Sequence, residues 1–461
     1  MKKAGVKRQT PAFTFLSQGI RIIEKFGNEV NKFFEQENIL NLSKTTGFVK
    51  RNRKVSPVSI IESILFTNQD PFKISLNDMA IFHKIHHGIE LTRQAIAKRF
   101  TKTATLFVKS LLAQMLRSSL SKDMEIFTNT NFNRILIKDS VCNQLPENLK
   151  DEYPGSGGAS SKASVRIQFE YDLKNQEVID LSPSAFNKQD CTNAKETLCK
   201  LQPNDLVIRD LGYVSIDTLK GVEGMGAWYI CRLNNGMDVY DPETGEKLDF
   251  KKLEVHMKKH GLVYIEKQVW VGSKKHPIRL VIELVPDNVK EERVRKTMRK
   301  NIRNGSRTSD QTKARLGLNL FLTNCPKTMI AASEIRKIYG IRWQVELIFK
   351  AWKQNMQFHR IKKMNIDRYE FLLYTKLVMV LLTWRLYQTM DIYMFQKKRQ
   401  RISVLKFYKT IFQFTTGLKD VIRGNEKAIF KMIDQFLKIS GKFLQHDDRK
   451  DRINWINVQS I

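Results

Sequence analysis

Residues 339–354, YGIRWQVELIFKAWKQ, set a phenol, a guanidinium, a carboxylate and an amine at successive steps of three, four and seven. At roughly 100° per residue on a helix, Tyr339, Arg342, Glu346 and Lys353 fall within a stripe of roughly 60°. Ile341, Val345, Ile348 and Trp352 form an apolar stripe about a third of a turn away, suited to a core. Two readings compete for the polar stripe. It is either a solvated face holding an Arg342–Glu346 pair worth about 0.2–0.5 kcal/mol, or one wall of a site that handles phosphate.

Two further acids close apolar strands. In ILIKDS, Ile135, Ile137 and Asp139 share one strand face; in LVIRDLGY, Leu206, Ile208 and Asp210 do the same. Either aspartate alone fits an N-cap or a turn. Both together, with Glu346 on a later helix, suggest three carboxylates converging from separate elements. Such a set stays ionised only if cations neutralise it. Hard, oxygen-ligated divalent ions, Mg²⁺ or Mn²⁺, suit these donors, and a pair of them would clamp the attacking and leaving oxygens of a phosphodiester.

The elements that must position these groups follow from changes in period along the chain. Residues 1–128 read as a helical region. Within it SLNDMAIFHKIHHGIELTRQAIAKRF (75–100) fits helix, glycine turn at Gly88, and a second helix capped by Thr92. That is the pattern of a helix-turn-helix, whose second helix would present Arg93 and Lys98 to a DNA groove. From 129 to 233 the strands RILIKDS, SVRIQFEYD, EVIDLSPS, LVIRDLGY and AWYICRL alternate with short helices at about 190–201 and 215–220, a mixed α/β order. Residues 234–317 read as a β-rich insertion ending in the basic helix VKEERVRKTMRKNIRNG, residues 318–385 resume the α/β core, and 386–461 are helical and basic. The loop YPGSGGASSKAS lacks the Lys-Ser/Thr of a phosphate loop, which argues against a nucleotide site there.

Composition narrows the partner. The 461 residues carry 79 Lys+Arg against 47 Asp+Glu, a formal charge of +32 spread along the chain, which favours a polyanion contacted by several regions. A membrane is disfavoured, because the longest apolar run, FLLYTKLVMVLLTW, is interrupted by Lys376 and is shorter than a span of about 20 residues. The N-terminus lacks the apolar run and cleavage site of a signal peptide. Five scattered cysteines with no CxxC fit a reducing cytoplasm rather than a disulfide or zinc framework. His256 and His260 have helical spacing but no accompanying HExxH or carboxylate, so they read as surface residues.

On Asp139, Asp210 and Glu346, the chain resembles the DDE transposases of bacterial insertion sequences. Tyr339, Arg342, Glu346 and Lys353 match the Y-x2-R-x3-E-x6-K signature of a cut-and-paste group among them, with Trp343 after the arginine. DLGY is similar to that group's D-x-G-Y turn. The resemblance covers about residues 130–385. It implies an RNase H-like mixed sheet interrupted by the insertion and flanked by helical N- and C-terminal domains. It also implies Asp139, Asp210 and Glu346 as catalytic metal ligands for two Mg²⁺, with Mn²⁺ able to substitute. Tyr339, Arg342, Trp343 and Lys353 would then hold DNA. The expected activity is metal-dependent cleavage at the element's terminal inverted repeats and strand transfer into double-stranded target DNA, by a homodimer on the bacterial nucleoid. The rival expectations are an RNase H-like nuclease without strand transfer and an inactive, transposase-derived DNA-binding protein.

Overall fold

The computed structural model describes residues 27–28, 30–50, 55–65, 71–117, 132–156, 162–175, 177–234, 236–343, 346, 348, 350–352, 361–398, 400–411 and 425–444. Lys353 and the glycines at 157 and 158 lie outside these residues.

The N-terminal part is helical: α1 (Gln36–Thr45), α2 (Pro57–Leu65), α3 (Leu76–His87), α4 (Arg93–Ala97) and α5 (Lys102–Arg117). Ser75 and Asp78 form a reciprocal capping box at the start of α3, and Gly88 ends it at φ +67°, a conformation that suits glycine. The second helix of the expected helix-turn-helix is only five residues long, about 7.5 Å. Its brevity has a local cause. Arg99 and Phe100 close back onto Ile96 and Ala97 through three-residue hydrogen bonds, and the Thr101 hydroxyl then caps the next helix by accepting the Ala104 N–H at 3.2 Å.

Nine strands of the described residues form one sheet in the order β3-β2-β1-β4-β5-β9-β8-β7-β6. They are β1 (Ile135–Leu145), β2 (Ala163–Asp172), β3 (Glu177–Ala185), β4 (Leu206–Arg209), β5 (Trp228–Arg232), β6 (Val239–Tyr240), β7 (Tyr264–Val271), β8 (His276–Leu284) and β9 (Leu318–Thr323). Strands β1, β4 and β5 run parallel, β2 pairs antiparallel with β1, and β3 pairs antiparallel with β2. This is the RNase H-like order, with α6 (Asp190–Glu196) and α7 (Ile216–Gly224) as crossovers. Strand β9 pairs antiparallel with both β5 and β8, so the inserted strands extend the same sheet. The insertion also carries α8 (Phe250–Lys259), α9 (Asp287–Arg303) and α10 (Asp310–Leu316). The first of these lies where the sequence suggested only strand and turn, and Asp249 starts it by accepting two backbone N–H groups.

Strand alternation divides the interior into two cores. Ile135, Ile137, Leu206, Ile208 and Ile230 face one, and Leu136, Val207, Tyr229 and Cys231 the other. The first core is covered by α11 (Ala332–Gly340) and by the 33-residue α12 (Ile366–Lys398). The apolar run FLLYTKLVMVLLTW lies in α12 and is almost wholly buried. Its sides are occupied by protein: Phe371 meets Phe100 at 5.3 Å and Arg385 donates to the Met115 carbonyl of α5. No helix of the described residues is long and apolar enough to cross a membrane. Beyond it, α13 (Val404–Ile411) and α14 (Glu426–Phe443) meet through Phe407 and Phe436, 5.2 Å apart.

Candidate active site

The parallel register of β1 and β4 pairs Lys138 with Arg209. The next residues, Asp139 and Asp210, therefore stand at one height on strands about 4.8 Å apart, following Ile137 and Ile208 onto the face of the first core. Asp210 precedes a 3₁₀ turn over Leu211–Tyr213, yet its side chain caps nothing there. Asp139 accepts the Ser140 N–H at 2.8 Å. Burial pushes its carboxyl up to about 6, with Asp210 and Glu346 adding to the rise and Ser140 and Arg342 opposing it. Glu346 and Asp210 are thus both close enough to act on Asp139, and the three acids share one electrostatic environment.

The stretch that supplies Glu346 is less regular than its periodicity suggests. Tyr339 and Gly340 end α11, residues 341–342 form a turn, and helical conformation resumes at 343, 346, 348 and 350–352. The Ile341 and Arg342 N–H groups reach back only to Ile338 and Tyr339, each at 3.1 Å, the tighter 3₁₀ spacing, beside a glycine that weakens a helix interior. The single helix expected over 339–354 is therefore interrupted. Its apolar stripe still packs: Ile341, Ile348 and Trp352 join the first core, and Trp352 meets the Phe169 ring edge-on at 4.8 Å.

Arg342 bonds Glu346 at 2.6 Å and lies 3.6 Å from Asp139. The i,i+4 pair expected of a solvated face exists, but its arginine is mostly buried and also touches a second acid. Burial works against the guanidinium's charge, yet the Glu346 hydrogen bond and the nearby Tyr339 and Asp210 raise its pKa overall. Tyr339 lies beneath Arg342, ring centroid to Cζ 5.9 Å. Burial pushes its phenol up to about 12, and its hydroxyl has no hydrogen-bond partner among the described residues.

Three carboxylates, one of them raised by burial and like charge, form a donor set for a hard divalent ion. Among the described residues, no three His, Cys, Asp or Glu side chains close around a common point as they stand. Arg342 occupies the space between Asp139 and Glu346, so the donors fit an ion by chemistry once that guanidinium withdraws.

The opposite face of the same strands holds partners the sequence reading missed. Lys138 reaches Glu170 at 3.3 Å and Asp180 at 3.6 Å, and Arg209 reaches Glu170 at 3.0 Å. Burial alone would raise the Glu170 carboxyl; Lys138 and Arg209 hold it below the usual range. The available signal was that a base precedes each aspartate. Asp190, at the start of α6, clamps the DLGY turn from outside. It accepts Ser140 Oγ at 3.0 Å, Arg166 at 2.6 Å and Gln168 Nε2 at 2.9 Å, while Tyr213 donates to Gln168 Oε1 at 2.7 Å. Gly212 lets the turn approach closely, since a Cβ would lie 3.3 Å from Asp190 Oδ2 and push that carboxylate back by a few tenths of an ångström.

Of the other candidates, Trp343 is half-buried where the helix resumes, and Arg93 and Lys98 are exposed on and just after α4. His256 and His260 are exposed, their rings 4.5 Å apart.

A family profile described as the transposase DDE domain matches residues 130–382. The transposase for insertion sequence element IS231B of Bacillus thuringiensis subsp. berliner is 28% identical over 457 residues, covering 95% of each chain. The transposase for insertion sequence element IS1151 of Clostridium perfringens is 25% identical over 439 residues, covering 91% of this chain and 93% of that one. A cryo-EM structure of the piggyBac transposase synaptic complex with hairpin DNA aligns with a TM-score of 0.46 at 10% identity, over 88% of this chain and 84% of that one. The profile spans more than half of the 461 residues and includes the strands that carry Asp139 and Asp210, and the chain belongs to the DDE transposases.

Proposed function

We propose that Asp139, Asp210 and Glu346 are the metal-binding acids of this transposase and that it moves an element by cut-and-paste strand cleavage and joining. The observation that carries the proposal is the level placement of Asp139 and Asp210 on adjacent parallel strands, with Glu346 close enough to act on Asp139. DDE transposases generally use divalent ions; here the proposed complement is two Mg²⁺, replaceable by Mn²⁺. When bound, the ions would activate the attacking oxygen and neutralise charge on the leaving one.

The chain's own groups then divide the work. Asp210 is free to ligate because it caps nothing, and Glu346 faces solvent, with a side chain 45% exposed. Arg342 releases Asp139 and Glu346 and turns its planar fork onto a strand phosphate. Tyr339 supplies a buried hydroxyl donor, and Trp343 and Lys353 contact the strand. In the first step water attacks a phosphodiester at the element end, the bond from phosphorus to the 3′ oxygen breaks, and that oxygen takes a proton. In the second, the freed 3′-hydroxyl attacks a target phosphate and expels the target's 3′ oxygen, so one phosphodiester forms as another breaks. Two protomers, one at each element end, would pair the ends.

Labelled terminal-repeat duplexes with a target plasmid and Mg²⁺ test this directly. Joined products are expected. Cut but unjoined ends would favour a plain nuclease, and bound, uncut DNA would favour an inactive binding protein. Arg93 and Lys98 are proposed end contacts: replacing both with alanine lowers end affinity and flattens its salt dependence, and unchanged end selectivity would reduce α4 to scaffold.

A further inference from the structure

The row of strand ends that holds the two aspartates has a third member. The parallel register of β4 and β5 pairs Arg209 with Cys231, so Arg232 stands beside Asp210 as Asp210 stands beside Asp139. Acid, acid and base thus lie in line across three parallel strands. Ile230, two residues earlier, faces the first core with Ile137 and Ile208, which places Arg232 on the same face as the acids. Arg232 also pairs with Phe321 of β9, whose ring centroid lies 5.4 Å from that of Tyr339. Its charge is felt by the Tyr339 hydroxyl and by the guanidinium of Arg293 on α9.

Arg232 is half-buried, and among the described residues it forms no ion pair. Arg209 and Arg342, on the neighbouring strand and the covering segment, are each matched by a glutamate, at 3.0 and 2.6 Å. A half-buried guanidinium with no acid paired to it among the described residues, set against a second cation and near a buried hydroxyl with no partner among them, is stabilised by an anion that accepts from both groups. In a protein that acts on DNA, the anion of matching chemistry is a backbone phosphate.

We infer that Arg232 and the Tyr339 hydroxyl seat one phosphate of the DNA strand on the β5 side of Asp210, one linkage or a few from the cleaved bond. The inference rests on the reading of Asp139, Asp210 and Glu346 as the cleavage centre, because that row sets where the seat lies. It assigns to the core strand β5 a role in holding substrate that the Y-R-E-K segment does not cover.

The test uses the full-length protein and a series of element-end duplexes, each with one neutral methylphosphonate linkage near the cut. The wild type is expected to lose about tenfold in cleavage rate at one linkage. Arg232→Ala is expected to lose about as much on native DNA and nothing further at that linkage, while keeping the wild-type sensitivity elsewhere. Arg232→Lys should recover part of the loss, since it restores charge without the fork. If Arg232→Ala cuts like the wild type, or if its loss simply adds to that of every methylphosphonate, the seat does not exist. Melting temperatures of Arg232→Ala and Arg232→Gln identify a merely structural role, which would lower both and leave the linkage profile unchanged. A wild type that binds ends without cutting would defeat the reading of the acids. The same duplexes would then report the seat through affinity: a linkage-specific loss absent in Arg232→Ala sustains it, and identical profiles overturn it.

Discussion

Lys138 and Asp139 are neighbours on β1, as Arg209 and Asp210 are at the end of β4, yet the two faces they point to treat charge in opposite ways. Behind the sheet, Lys138 and Arg209 share Glu170, with Asp180 beside Lys138, in a network closed within the protein. In front, Arg342 is the one arginine among the described residues that pairs with Asp139 and Glu346, and burial lifts the Asp139 carboxyl to about 6. A buried network whose charges are matched specifies and rigidifies a fold. One whose charges are left in excess stores an affinity for something outside the chain. On the proposed reading of the front acids, the first arrangement holds the second in place.

The largest effect should separate the faces by activity. Asp139→Asn, Asp210→Asn and Glu346→Gln are each expected to lower strand cleavage about a thousandfold or more, because removing one ligand charge forfeits several kcal/mol of transition-state stabilisation. Their metal-free melting temperatures should not fall. Gel assays with labelled ends, beside thermal melts, check both halves, and near wild-type cleavage by any of the three removes that residue from the site.

Glu170→Gln should do the reverse. It leaves Lys138 and Arg209 buried without their shared counter-charge, a loss of about 3–5 kcal/mol in chemical denaturation. If it instead melts like the wild type, the back network is not structural.

Arg342→Ala comes next, with cleavage or joining slowed about a hundredfold by misplacement of the strand. Arg342→Lys should recover only part, since an ammonium lacks the fork. Normal turnover with a small stability loss would return the Arg342–Glu346 pair to an ordinary solvated face.

The smallest effect concerns pH. The folded protein holds a proton on Asp139 up to about 6, whereas the unfolded carboxyl releases it near 3.8. Without divalent ions, stability should therefore fall as pH rises through that window and level off above it. Asp139→Asn should lack this component, and identical pH profiles for the two proteins would show that the front acids are not in excess.

The front face was legible because its signals are local. Alternation in ILIKDS and LVIRDLGY put both aspartates on the core side of their strands, and the apolar stripe through Ile348 and Trp352 showed which side of the later segment packs. The back face was not, since Glu170 and Asp180 lie far along the chain from Lys138 and only the pairing of β1 with β2 and of β2 with β3 brings them together. Asp190 and Arg232 escaped for the same reason: one acts across a loop, the other through strand register. The break at residues 341–342 was hidden because an angular pattern survives a brief tightening to 3₁₀ bonds. The five-residue α4 was overextended because basic residues continue past the point where Thr101 starts a new helix.

On the proposed reading, the front acids are a site for divalent ions held ready by a balanced back face. Mn²⁺ binding by calorimetry, on the wild type, Asp139→Asn and Asp210→Asn at neutral pH, tests it without recourse to catalysis. Saturable binding by the wild type is expected, lost or weakened at least tenfold in both variants, with all three proteins folded. Equal Mn²⁺ binding by the three would contradict it.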